Sequence, residues 1–216
     1  MGKQIIIEAI SIEKAFGDRK VLENLSLHVR KGETVSVLGI SGSGKTTLFH
    51  IIAGMIESDF GTIERQVEMG YMMQKDLLMP WKTVIENISL PLILKGMKKM
   101  DASKVAEEYL PKFGLEGTAK LYPDSLSGGM RQRASLLRTY LQSGELLLLD
   151  EPFSSVDAIT RHQLHKWILE IKEKFSLSIL LITHDVEEAL ALSDRIYILS
   201  GTPASVTHEL DLASHR

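Results

Sequence analysis

The chain of 216 residues contains no cysteine, which excludes a disulfide frame and any thiolate metal site and fits a reducing compartment. Neither sign of charge is in large excess. With 25 Lys and Arg against 28 Asp and Glu, the formal net charge is −3, too balanced for nucleic acid to be the main partner. No apolar stretch approaches the roughly 20 residues that a membrane span requires. The first residues, Met1-Gly2-Lys3-Gln4-Ile5-Ile6-Ile7-Glu8, meet charge too soon for a signal peptide. Work at a membrane would therefore proceed by docking to another chain. Internal repeats and low-complexity tracts are absent, the nine methionines form no helical stripe, and the basic run Lys95-Gly96-Met97-Lys98-Lys99-Met100 reads as a solvated loop between helices. A chain that is 44% hydrophobic and 25% charged is expected to fold as a soluble intracellular domain with a substantial core.

What is present begins with Gly39-Ile40-Ser41-Gly42-Ser43-Gly44-Lys45-Thr46, directly after the apolar run Thr34–Leu38 and before Leu48-Phe49-His50-Ile51-Ile52-Ala53. A glycine-rich loop between a buried strand and a helix leaves successive backbone N–H groups free to face a polyphosphate. Lys45 can reach the β- and γ-phosphates, Thr46 can offer its hydroxyl to Mg²⁺, and the start of the helix adds a positive end. The plainer alternative is a flexible turn before a helix, but the placement between an apolar strand and an apolar helical face favours nucleotide binding.

Leu146-Leu147-Leu148-Leu149 runs into Asp150-Glu151-Pro152, the pattern of a central parallel strand with its carboxylates at the ligand-binding edge. Asp150 can hold Mg²⁺ through a water and Glu151 can polarise the water that attacks the γ-phosphate. Without the glycine loop, an acidic turn at the end of a buried strand would be the better reading. Leu126-Ser127-Gly128-Gly129-Met130-Arg131-Gln132-Arg133 places a hydroxyl and free N–H groups at a helix start. Taken alone, Ser127 would be a simple N-cap. Within one chain a second anion-binding loop has no obvious task, whereas in a pair of facing chains each Ser127 loop could close on the γ-phosphate held by the other chain's Lys45.

With these three elements the sequence resembles the ATP-binding cassette (ABC) family, whose signature is this Leu-Ser-Gly-Gly run, and the resemblance covers nearly the whole chain. It implies an ATPase using ATP and Mg²⁺, with Glu151 and His184 as catalytic residues. The implied nucleotide-binding set is Phe16, Gly39, Ser41, Gly42, Ser43, Gly44, Lys45, Thr46, Thr47, Gln74, Ser127, Gly128, Gly129 and Asp157. The implied metal set is Thr46, Gln74 and Asp150. Phe16 matches the aromatic that stacks on adenine, with an ordinary core phenylalanine as the alternative. Gln74 matches the glutamine that contacts Mg²⁺ and senses a transmembrane partner. Ser154-Ser155-Val156-Asp157 stands where Ser-Ala-Leu-Asp is more usual in the loop that crosses the dimer interface. His184, in Thr183-His184-Asp185, matches the histidine that hydrogen-bonds the γ-phosphate, while His162 and His165 read as solvent-facing residues on a charged helix.

The expected fold is α/β: a P-loop NTPase core with a mostly parallel sheet, an antiparallel β layer and an inserted α-helical lobe. Residues 1–216 read as a single ABC ATPase domain, with the core at about 1–78 and 134–216 and the lobe at about 79–133. Ile5–Ile12, Ser26–Val29 and Gly61–Ile63 read as the antiparallel strands, joined by turns at Gly17-Asp18-Arg19-Lys20 and Lys31-Gly32-Glu33. Thr34–Leu38, Leu146–Leu149, Ser178–Ile182 and Arg195–Leu199 read as core strands alternating with helices. The lobe offers helices at Thr83–Leu94, stopped by Pro91 or soon after, and at Ala102–Lys112, followed by Gly114.

Leu77-Leu78-Met79-Pro80-Trp81-Lys82-Thr83-Val84-Ile85-Glu86-Asn87 follows Gln74, and its Pro-Trp-x-Thr-Val-x-Glu-Asn pattern is similar to importers of the nitrate, sulfonate, taurine and pyrimidine-precursor type. In that family the region receives a short helix from the membrane subunit. Packing at the start of a helix is the alternative for Pro80 and Trp81. The stretch after Leu199 is too short for the regulatory C-terminal domain of sugar and sulfate importer ATPases. The resemblance thus implies an importer subunit working as a homodimer, docked on permease subunits at the inner face of the cell membrane and served indirectly by a solute-binding protein, with no nucleic acid. Two other readings stay open: an exporter or lipoprotein-release ATPase with the same catalytic residues, and a soluble ABC protein of DNA repair or translation. The latter usually carries coiled-coil insertions, zinc motifs or fused cassettes, which are not visible in this sequence.

Overall fold

The four leucines before the paired acids divide the molecule into two packed layers. Strand β6 (Leu146–Asp150) is buried along its whole length, and its successive side chains face opposite sides of the sheet. Leu146 and Leu148 join a core with β1 (Ile5–Phe16), β2 (Arg19–Arg30), β3 (Thr34–Leu38) and α1 (Lys45–Ile52). Leu147 and Leu149 join a second core with α2 (Val84–Ile88), α4 (Lys99–Tyr109), α5 (Gly128–Ser143) and α6 (Ala158–Phe175). The computed structural model describes residues 4–212. Met1 to Lys3, part of the stretch read against a signal peptide, and the last residues of the 1–216 domain reading lie outside it.

The principal sheet has the order β5-β6-β7-β3-β8-β9, where β5 is Met69–Met72, β7 is Ser178–Thr183, β8 is Arg195–Ser200 and β9 is Ser205–Asp211. All neighbours pair in parallel except β9, which closes one edge antiparallel to β8. A second, antiparallel sheet has the order β2-β1-β4, with β4 at Phe60–Arg65. This is the α/β class expected from the sequence, and the core strands begin and end close to where the apolar runs placed them. The outer strands run further: β1 and β2 continue to a turn at Gly17 and Asp18, and Arg19 and Lys20 already belong to β2.

Several local expectations change. Pro91 does not stop a helix; it sits in the first turn of α3 (Leu90–Leu94), a separate short helix that follows α2. Its missing N–H costs nothing there, because first-turn N–H groups lack an intrahelical acceptor. Helix α4 begins and ends three residues earlier than the apolar pattern suggested, and Pro111–Phe113 form a separate 3-10 turn closed by Gly114 at φ 67°. His165 is buried rather than solvent-facing, with its ring against Phe153 and Nε2 3.5 Å from Glu188 Oε1. His162 is exposed as expected.

Helix α5 lies directly on β5. A Cβ built on Gly70 would fall 2.3 Å from the Thr139 carbonyl oxygen, so only glycine lets the strand and helix backbones meet. Gly70→Ala must push them apart and is expected to destabilise the fold by about 1–3 kcal/mol in urea unfolding. Unchanged stability would show that α5 shifts freely on the sheet.

Candidate nucleotide site

Parallel register determines where the loops emerge. Leu38 pairs with Thr183 and Asp150 with Ile182; beyond them, Gly39 N donates to Thr183 O at 3.3 Å and Glu151 N to Ile182 O at 2.9 Å. The glycine loop, Glu151 and His184 therefore leave the sheet side by side at its carboxyl edge, where open α/β sheets bind ligands.

The loop is held open as a cradle. Gly44 caps α1 in the left-handed conformation, φ 83°, and a Cβ there would lie 2.8 Å from Leu22 Cδ2. Lys45 is buried and Nζ donates to Gly39 O at 2.7 Å and Ile40 O at 2.8 Å. Burial lowers its pKa, opposed by the charges of Glu151 and Asp150. The Ser43 hydroxyl is buried without a hydrogen-bond partner. Above the cradle opens a cavity of about 410 Å³ bounded by Phe16, Arg19, Val21, Ser41, Gly42, Gly44, Lys45, Thr46, Thr47, Gln74, Asp150 and Glu151. Phe16 is 53% exposed, so its ring forms a wall of this cavity and not part of the core.

The acids differ in their surroundings. Burial raises the pKa of Asp150 and neighbouring Glu151 adds to the rise, while a hydrogen bond from the Tyr71 hydroxyl, 3.1 Å from Oδ2, opposes it. Glu151 has φ 44°, a backbone conformation that non-glycine residues adopt at a cost. Its carboxylate stands between Gln74, whose Nε2 donates to Oε2 at 3.1 Å, and His184, whose Nδ1 is 3.1 Å from Oε1. The hydroxyl of Thr46, the carboxylate of Asp150 and the amide oxygen of Gln74 are hard oxygen donors of the kind Mg²⁺ takes.

Ser127, Gly128, Gly129 and Asp157 do not reach this cavity. They line another of about 370 Å³, together with Ser155, Val156 and Thr160. Ser127 caps α5 by accepting from Met130 N at 3.2 Å, and Asp157 caps α6 by accepting from Ile159 N at 3.1 Å and Thr160 N at 3.0 Å. Of the residues singled out in the sequence, one chain thus assembles the Lys45 group and leaves the Ser127 group facing elsewhere.

Residues 22–154 match the family model described as ABC transporter. The chain belongs to the ABC transporter family. Formylaminopyrimidine import ATP-binding protein ThiZ of Halalkalibacterium halodurans is 51% identical over 185 residues, 85% of this chain and 74% of the relative. Aliphatic sulfonates import ATP-binding protein SsuB 2 of Pseudomonas syringae pv. tomato is 44% identical over 91% of this chain and 83% of its own length. Taurine import ATP-binding protein TauB of Escherichia coli O157:H7 is 40% identical over 91% and 80%. Among solved structures, the dimeric structure of MJ0796, a bacterial ABC transporter cassette, aligns with a TM-score of 0.80 and 28% identity over 95% of this chain and 98% of that one. This ABC chain is an ATP-binding ATPase of the importer kind, and the exporter and non-transport readings are not favoured.

In this ABC ATPase three residues near the acids carry interactions that the motifs did not announce. Arg19 lines the Lys45 cavity beside Phe16. Arg161 donates to Asp185 Oδ2 at 3.0 Å and to Val156 O at 3.3 Å, tying the loop before α6 to the segment after His184. Tyr71 faces Asp150 from the adjoining strand, and burial together with the Asp150 charge pushes its own pKa up. Its signal was its place three residues before Gln74, on a strand too short to be read from periodicity. Tyr71→Phe removes the one hydrogen bond that favours ionised Asp150. The Asp150 pKa should rise further in a carboxyl-carbon NMR titration; an unchanged or lowered value would contradict this assignment.

Proposed function

We propose that this ABC ATPase powers solute uptake from two composite sites, each made by the Lys45 group of one chain and the Ser127 group of a second copy. The observation that carries the reading is the separation of the two groups into different cavities of one chain. In the proposed dimer Phe16 stacks on adenine, and residues 39–47 wrap the phosphates, with Gly39 and Ser43 shaping the loop from beneath. Thr46, Asp150 and Gln74 would hold Mg²⁺, which when bound offsets phosphate charge and orients the γ-phosphate. Glu151 accepts one hydrogen bond from Gln74 on one side and faces His184 on the other, a position from which its carboxylate orients and deprotonates the attacking water. His184 donates to the γ-phosphate. Ser127, Gly128, Gly129 and Asp157 of the opposite chain complete the site.

The same reading takes residues 1–216 as one ATPase domain, with the core at about 1–78 and 134–216 and the helical lobe at about 79–133. Among the described residues no helix is long and apolar enough to cross a membrane. We place the dimer on the inner face of the cell membrane, docked to permease subunits and served indirectly by a solute-binding protein. Trp81 supports that placement. It is 73% exposed, which removes core packing as its role, yet its loop is tightly held. Asn87 Oδ1 accepts from Met79 N at 2.7 Å, while Nδ2 donates to the carbonyls of Met79, Lys82 and Thr83. Thr83 and Glu86 form a reciprocal capping box. A large aromatic presented on a rigid loop suits a protein contact. The relatives' names point to a small organic solute, selected by the permease and binding protein.

Glu151→Gln is expected to bind ATP normally, lose hydrolysis by about a hundredfold or more and accumulate as an ATP-bound dimer. Wild-type turnover would remove Glu151 from the catalytic step. Trp81→Ala should leave nucleotide affinity nearly unchanged while weakening association with the cognate permease by about 2 kcal/mol or more in a pull-down titration. Loss of ATP binding with permease association intact would return Trp81 to a structural role.

A further inference from the structure

The segment after Gln74 is clamped to the helix that begins at Ser127. Arg138, in the third turn of α5, donates through Nη2 to Asp76 O at 2.6 Å and through Nη1 to Leu77 O at 2.8 Å. Ser135 Oγ donates to the same Asp76 carbonyl at 3.1 Å, and Arg131 Nε lies 3.5 Å from Asp76 Oδ2. Leu77, between the clamp and the Trp81 loop, has φ 46° and a side chain that is half exposed. Such a conformation in a branched residue persists only where its surroundings hold it. Burial lowers the pKa of Arg138 and the Asp76 charge opposes the fall, so the guanidinium is partly desolvated for the sake of two backbone carbonyls. Its planar fork spans both acceptors, which a lysine ammonium cannot do with the same rigidity. Arg138 lies about 16 Å along the helix axis from the Ser127 cap.

We propose that Arg138 is a positioning residue for the composite site. It locks the Gln74 loop to α5, so that a displacement at Gln74 by nucleotide, or at Trp81 by a docked permease, moves the Ser127 loop with it. This inference rests on the two-chain reading above. Helix α5 serves as the lever, because its intrahelical hydrogen bonds leave it little freedom to bend between Ser127 and Arg138, while its close approach to Gly70 falls at Thr139, beside Arg138. The clamp touches neither the glycine loop nor Phe16, so it affects assembly of the site and not the affinity of one chain for nucleotide.

The test uses the full chain in three measurements. Arg138→Gln should keep nucleotide affinity within about twofold, because Arg138 itself does not line the Lys45 cavity and reaches it only through Gln74, one of its twelve lining residues. In the Glu151→Gln background it should raise the ATP concentration needed for dimer formation at least tenfold, with Arg138→Lys falling between. The chain has two tryptophans, and in a Trp167→Phe background Trp81 reports on its own loop. ATP should shift Trp81 emission with Arg138 present and not with Arg138→Gln. Dimerisation and emission like those of the parent would overturn the inference, as would a loss of nucleotide affinity in step with thermal stability. Should Arg138→Gln fail to fold, Arg138→Lys decides the matter alone, and parental dimerisation by it rejects the fork. Ser127→Arg separates this inference from the reading beneath it. If Ser127→Arg still forms the ATP dimer, the two-chain site fails; if it does not, while Arg138→Gln does, only the clamp fails.

Discussion

Parallel pairing of β3, β6 and β7 is the constraint from which the site follows, because it makes three strands end together. With Leu38 opposite Thr183 and Asp150 opposite Ile182, the three ends are aligned, and a shift of one residue in the pairing of β6 with β7 would turn the leucines of β6 to the wrong cores. It would also separate Glu151 from His184 by a strand step of about 3.3 Å. Burial of Leu146 and Leu148 on one side and Leu147 and Leu149 on the other makes that slip costly. The hydrophobic core thus bears on the site directly: it sets the distance between the Glu151 carboxylate and its neighbours.

What the sequence made legible is what local physics dictates. The glycine loop, the buried strands and the acids at the end of β6 each need particular residue types in consecutive positions, and each lies where the pattern put it. Elements without a local signature were hidden. β9 is an exposed edge strand with little apolar content, and β5 spans only Met69–Met72, too short for alternation to register. His165 did have a signal. Arg161, Leu164, Ile168 and Ile171 fall on one helical face, and His165 lies at that face's edge. Its charge-rich neighbours outweighed the spacing. Arg138 and Arg161 were beyond reach for another reason, since their partners are carboxylates or backbone carbonyls that only the fold brings near, and Tyr71 offered no signal beyond its place before Gln74.

The site residues divide in the same way. A glycine motif specifies its own geometry, so the cradle of residues 39–46 could be anticipated in detail. The position of Ser127 relative to Lys45 is a tertiary quantity, and within one chain the structure places them at separate cavities. That separation is what the proposed two-chain site requires of the Ser127 loop.

Ser127 also shows how a structural role and the proposed binding role fit on one residue. Its hydroxyl accepts from Met130 N, the bond any helix of this kind gains from a serine cap. The plain N-cap reading is therefore correct as far as one chain goes. Capping by Ser127 satisfies one of the unpaired N–H groups at the start of α5 and leaves the helix dipole and the first-turn amides pointing outward. Gly128 and Gly129 add no side chain above those amides, and a Cβ on Gly129 would already press on Thr160 Cγ2 at 3.1 Å. Folding thus leaves a positively polarised helix end at the surface, and the proposed two-chain site rests on an anion presented to it from outside.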